Sequence, residues 1–172
     1  MSLLDLPPGI VEIVIKRLET LATYAAERGD PPFAAILYAS DGNMSNGSFE
    51  CISESTATVH TEHNHLAHAE MRLLLAEHRK LYDARHQPDR SQNLTFHLFV
   101  NAEPCTMCTA AIFKSQIDDL YCFPTASKKD MIPSITAKEV VDRSNEAIDQ
   151  LGITWGKVRM HYIPFESAQE TN

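Results

Sequence analysis

Two short stretches carry residues whose types and spacing can do chemistry. In LAHAEMRLLL (66–75), His68 and Glu70 head an apolar run that otherwise reads as a core helix. In EPCTMC (103–108), Cys105 and Cys108 stand three apart behind a proline. Two thiols at that spacing can converge on one metal, and a helix N-terminus favours their anionic form. Zinc takes such thiolates and imidazoles in tetrahedral geometry. The sequence holds no second C-x-x-C for a four-cysteine structural site, whereas His68 can supply a third ligand. Three protein ligands leave one corner for a water, which zinc acidifies towards neutral pH. Glu70 would then serve as the proton shuttle that hydrolysis needs. Residues two apart in a regular helix do not share a face, so spacing alone leaves the direction of Glu70 open. A redox pair is the other reading of the cysteines, but it leaves His68 and Glu70 without a task.

The elements that must position these groups can be read from apolar periodicity. Ile10, Ile13, Val14, Leu18, Leu21 and Ala25 fit one helix face, stopped by Gly29 and the prolines at 31 and 32. FAAILYAS (33–40) is a continuous apolar run, as in a strand buried on both faces. DGN (41–43) reads as a hairpin turn, MSNGSFECIS (44–53) as a weak partner strand, and the His-rich stretch 53–65 as a loop. A helix follows from His68 to about Leu81, then a strand at 94–100, a helix with Pro104 in its first turn, and a strand at 117–123. Thr136 and Glu139 stand in capping-box register at the head of an amphipathic helix, and 153–165 has strand character broken at Gly156. A hairpin followed by alternating helices and strands predicts an α/β fold with a mixed sheet and helices on both faces. No repeat or composition break divides the 172 residues, so one domain over 1–172 is expected, with 166–172 a polar tail.

The bulk properties narrow the function classes. Net charge is −8 and no basic face is visible, the nearest clusters being Lys128–Lys129 and the spaced Arg85, His86 and Arg90. Nucleic-acid binding relies on clustered Lys and Arg, so a nucleic-acid partner is disfavoured and a neutral or cationic small molecule favoured. There is no apolar run long enough for a membrane span, and MSLLDLPPG lacks the regions of a signal peptide. The expected location is the cytoplasm. His60, His63 and His65 read as solvated loop residues, Cys51 and Cys122 as small buried apolar groups, and Glu103 as a cap for the helix that begins beside it.

HAE at 68–70 with EPCTMC at 103–108 resembles the zinc-dependent cytidine and nucleobase deaminase superfamily, whose signature is H-x-E…P-C-x-x-C. The likeness spans about residues 30 to 125 and includes PFAAIL (32–37) and AAIFKSQIDDLYC (110–122). It implies a cytidine deaminase-like three-layer sandwich with a central mixed five-stranded sheet. It implies one zinc per chain on His68, Cys105 and Cys108, with Glu70 as the catalytic proton shuttle, and a homodimer.

The histidine first ligand and the EPC…MC wording are most similar to the branch of guanine, cytosine and tRNA adenosine deaminases. With the acidic charge, this implies a free aminated nucleobase or similar heterocycle, guanine-like first. Cytosine, an aminotriazine, a tRNA adenosine, or a non-catalytic zinc-fold assembly role are the alternatives. The resemblance also implies substrate contacts from Phe33, from Ala67 beside the histidine, and from Trp155 in a C-terminal aromatic group with Tyr162 and Phe165, which serves either as packing or as a lid. The chain departs from the family in three places: Ala34 stands for a glycine, NHL for D-P-T, and Glu50 falls near an Asn that ends the second strand. A carboxylate only accepts hydrogen bonds, so Glu50 there would favour a base edge rich in N–H donors.

Overall fold

Gly9 and Gly29 bracket helix α1 (Ile10–Glu27) in left-handed backbone, with φ of 77° and 79°, a conformation glycine adopts without a Cβ penalty. The computed structural model describes residues 6–41, 48–86, 94–123, 136–151 and 156–163. Residues 42–43 of the expected turn, Trp155, Phe165 and 166–172 lie outside these residues.

The remaining elements follow the sequence order. They are β1 (Ala34–Ser40), β2 (Phe49–Thr56), α2 (Ala69–His86), β3 (Thr95–Val100), α3 (Thr106–Lys114), β4 (Asp119–Cys122), α4 (Ala137–Gln150) and β5 (Arg159–Tyr162). The sheet runs β2-β1-β3-β4-β5. β1 is antiparallel to both β2 and β3, while β3, β4 and β5 are parallel. This is the expected mixed five-stranded α/β architecture.

Strand alternation sorts the core into two layers. Ala35, Leu37, Leu98, Val100 and Leu120 face α2, α3 and α4, joined by Leu73, Ile112 and Val141. Ile36, Tyr38, Phe99 and Tyr121 face α1, joined by Val14 and Leu18. Every residue of β1 is buried, which is why its sequence shows no alternation. Each large side chain of these layers contributes about 1.5–3 kcal/mol by leaving water.

β2 differs from its sequence reading. It runs on to Thr56, through the polar stretch expected to begin a loop at 53. An edge strand needs only one partner, and backbone pairing to β1 from Ala34↔Thr56 to Ser40↔Phe49 holds it, with a register shift at Leu37/Tyr38. Polar side chains are tolerated on such an edge, and Arg17 of α1 forms a two-bond ion pair with Glu54. Cys51, expected to be buried, is exposed on this strand, while Cys122 is buried in β4. Among the described residues no helix is long and apolar enough to cross a membrane.

Candidate metal centre

His68 lies just outside α2, and its carbonyl accepts the Arg72 N–H that opens the helix. Cys105 is the N-cap of α3 in extended backbone, and Cys108 sits buried in the first turn. The sheet brings the two helix starts together, so that His68, Cys105 and Cys108 form a three-ligand group. The His68 Nδ1 is 3.7 Å from the Cys105 Sγ and 3.6 Å from the Cys108 Sγ, and the sulfurs are 3.5 Å apart. Zinc bond lengths place tetrahedral S···N and S···S edges at roughly 3.6 and 3.8 Å. The three side chains therefore fit zinc, with Nδ1 as the imidazole donor and the fourth corner free of protein ligands among the described residues.

The electrostatics of the two thiols suit a bound cation. A hydrogen bond from Cys108 holds the Cys105 thiol down to about 5, helped by the Cys108 and Met107 backbone N–H groups and opposed by burial. The same bond, together with burial, pushes the Cys108 thiol up. The pair shares one proton at its positive helix end, and a divalent cation would take that proton's place. The Glu70 carboxyl is raised by burial, and the Cys105 charge adds to the effect. It lies within hydrogen-bond reach of the Cys108 sulfur. Because His68 precedes the helix and Glu70 is its second residue, the two need not share a helical face to meet.

Three residues that motif reading missed, Asp30, Arg72 and Asn101, hold this centre in place together with Glu103. Asp30 is buried and accepts from the His60 and Thr61 backbone N–H groups at 2.8 and 3.0 Å, which shapes the loop leading to His68. Arg72 donates to Thr58 and Glu62 and so closes the same loop onto α2. The amide of Asn101 accepts from Ala34 N–H at 2.8 Å and donates to the Pro32 carbonyl at 2.9 Å. That joins the end of β3 to the start of β1. Glu103 caps a helix as expected, but the wrong one for local reading: its Oε1 accepts from Ala137 N–H of α4 at 2.8 Å. Turn-forming Asp and Asn at element ends were the available signals; their partners lie too far along the chain to be read.

The substrate residues named from the sequence separate. Phe33 is half-buried at the site end of β1, where its carbonyl accepts from Ala57 N–H. Ala67 is buried beside His68, but its N–H and carbonyl are taken by Asn64 and Thr58, so only its methyl remains for a ligand. Glu50 is a correction. It pairs with Ala39, whereas the site end of β2 is Thr56, paired with Ala34. Six residues of strand span about 20 Å, so Glu50 stands exposed at the far end of the sheet. Trp155 lies outside the described residues.

No curated protein sequence matches the chain. Among solved structures, the chain is similar to a guanine deaminase from Nitrosomonas europaea, with 18% identity, a TM-score of 0.56, and coverage of 95% of this chain and 81% of that one. It is similar to NE0047 in complex with 2,6-diaminopurine, with 21% identity, a TM-score of 0.59 and coverage of 91% and 76%. A tRNA:A34 deaminase that acts at the wobble position shows 22% identity, a TM-score of 0.50 and coverage of 87% and 95%. These likenesses share the fold. The model of the cytidine and deoxycytidylate deaminase zinc-binding region matches residues 11–123, a span that holds the two helix starts and all three ligands. The chain belongs to this family of zinc-binding deaminases.

Proposed function

We infer that the chain is a zinc-dependent hydrolytic deaminase of a free aminated heterocycle, with a guanine-like base first among its substrates. The observation that carries this reading is the buried Glu70 carboxyl beside a His-Cys-Cys set whose fourth corner is open. Bound zinc supplies a polarised water to the reaction. Glu70 would take one proton from that water and pass it to the ring nitrogen, then take the second from the hydroxyl added to the ring carbon and pass it to the amine as the C–N bond breaks. Burial raises its carboxyl, which favours a group that must hold a proton as well as give it up.

A free base is supported by the names of two fold neighbours and by charge. The chain carries −8, and Arg72, the cation nearest His68 in sequence, is held by Glu62. A base within tRNA is the second reading, favoured by the fold of the tRNA:A34 deaminase. The same reading takes the chain as one domain and a pair of copies in solution, which sedimentation at two protein concentrations would check. It takes the location to be the cytoplasm, where Cys105 and Cys108 would stay reduced for the metal.

The test is ammonia release by the zinc-loaded protein from guanine, cytosine, isocytosine and aminotriazines, alongside inosine formation in tRNA. Guanine should lead the panel. Turnover of tRNA with none of any free base would transfer the assignment to the second reading, and a purified protein without metal would end both.

A further inference from the structure

The turn that carries Cys105 is pinned at three places. Asn101 fastens its start to β1. At its end, the Cys105 carbonyl accepts from the N–H and the hydroxyl of Thr109 at 2.9 and 3.0 Å, inside α3. Between them, half-buried Glu103 reaches out of the turn. Its Oε1 takes the Ala137 N–H at 2.8 Å, the first-turn donor of α4 that has no partner within the helix. The exposed Tyr162 phenol of β5 lies near enough to the same carboxylate that partial burial and the Glu103 charge raise it above its usual range. Ala137 and Tyr162 both lie beyond residues 11–123, which the family model matches. Glu103 therefore joins the matched zinc region to the C-terminal elements that follow it.

The geometry points to Glu103 as a positioning residue of the metal centre: by holding its turn to the N-terminus of α4, it sets where the Cys105 sulfur stands. The linkage is stiff, because only Pro104 separates the two residues and its ring fixes φ. A carboxylate is well suited to the pin, since the helix N-terminus carries partial positive charge. The alternative, a cap that merely stabilises α4, is separable, because α4 has its own capping box from Thr136 and Glu139. This inference rests on the reading of His68, Cys105 and Cys108 as the zinc ligands.

The experiment loads the full chain with cobalt(II) in place of zinc, records its visible absorption, and measures zinc affinity against a competing chelator. Glu103→Gln keeps an acceptor for Ala137 N–H and should stay within about two-fold of wild type. Glu103→Ala should weaken zinc by about ten-fold, the low end of the loss seen when a residue that orients a ligand is removed. Glu103→Asp keeps the charge but shortens the reach by one methylene, so it must pull the turn and shift the cobalt bands even if the Ala variant does not fold. Glu139→Ala loosens the same helix end without touching the turn and should leave both readouts alone. The proposal is overturned if the Asp and Ala variants keep wild-type bands and affinity, or if Glu139→Ala moves them as far. A wild-type chain that takes up no cobalt overturns the ligand reading and this inference together.

Discussion

Glu70 occupies a place that few carboxylates tolerate: 8% exposed, near two sulfurs, with its ionisation raised by burial. A group so placed is costly unless it has a task or a partner cation. Glu70→Gln keeps the shape and removes the proton shuttle. The variant should bind one zinc per chain by metal analysis, while steady-state ammonia release falls by roughly 10²–10⁴-fold. Undiminished turnover in a zinc-loaded Gln variant would remove Glu70 from the reaction. At this scale the three ligands were legible, because each lies at or near the start of a helix and two of them stand three apart. Glu50 was misplaced for a physical reason. Its assignment depended on where β2 ends, and an edge strand paired on one side by backbone bonds leaves no apolar alternation to read.

Helix starts, more than helix bodies, build the centre, so their caps matter. Thr136 accepts from Glu139 N–H at 3.2 Å, and the Glu139 carboxylate accepts from Thr136 N–H at 2.9 Å. Glu103 satisfies a third donor of α4 from across the fold. Thr136→Ala should cost about 1 kcal/mol in urea unfolding without altering zinc affinity, since the Glu103 bond survives. The capping box was readable from its local spacing. The reach of Glu103 was not, because it spans 34 residues to Ala137, and a Glu before Pro-Cys looks the same whichever helix it serves. The element order itself was readable from periodicity; the extension of β2 was hidden because polar side chains carry no strand signal when backbone pairing alone decides.

The sheet as a whole has a polar anchor at the end opposite the metal. Asp119 of β4 is fully buried and takes both Arg159 Nε and Nη2 of β5 at 2.7 Å. His161 Nε2 lies 3.1 Å away, and His97 Nδ1 lies 3.3 Å away while its Nε2 meets Ser40 Oγ at 2.9 Å. The network links β1, β3, β4 and β5, and Tyr121 stacks on His161 over it. Burial pushes the Asp119 carboxyl up, but hydrogen bonds from His161, His97 and Arg159 and the charge of Arg159 outweigh it and hold it far below the carboxylate range. The folded value lies below the unfolded one, near 3.9. The contribution is thus full above about pH 4 and lost as pH falls. In metal-free protein, wild type should lose stability steeply between about pH 4 and pH 2. Asp119→Asn, weaker at pH 7 by about 3 kcal/mol, should show a slope smaller by about 1.4 kcal/mol per pH unit. Urea unfolding across that range reads both, and parallel slopes would place the acid sensitivity elsewhere.

The sequence by itself determined the metal-ligand set and the order of elements, because ligand spacing, caps and apolar periodicity are local and act within one or two turns of chain. Only the tertiary structure decided which strand end meets the metal, which helix Glu103 caps, and that Asp119 gathers an arginine and two histidines. Each of these depends on strand register and on contacts between residues tens of positions apart, and neither leaves a pattern in the order of amino acids.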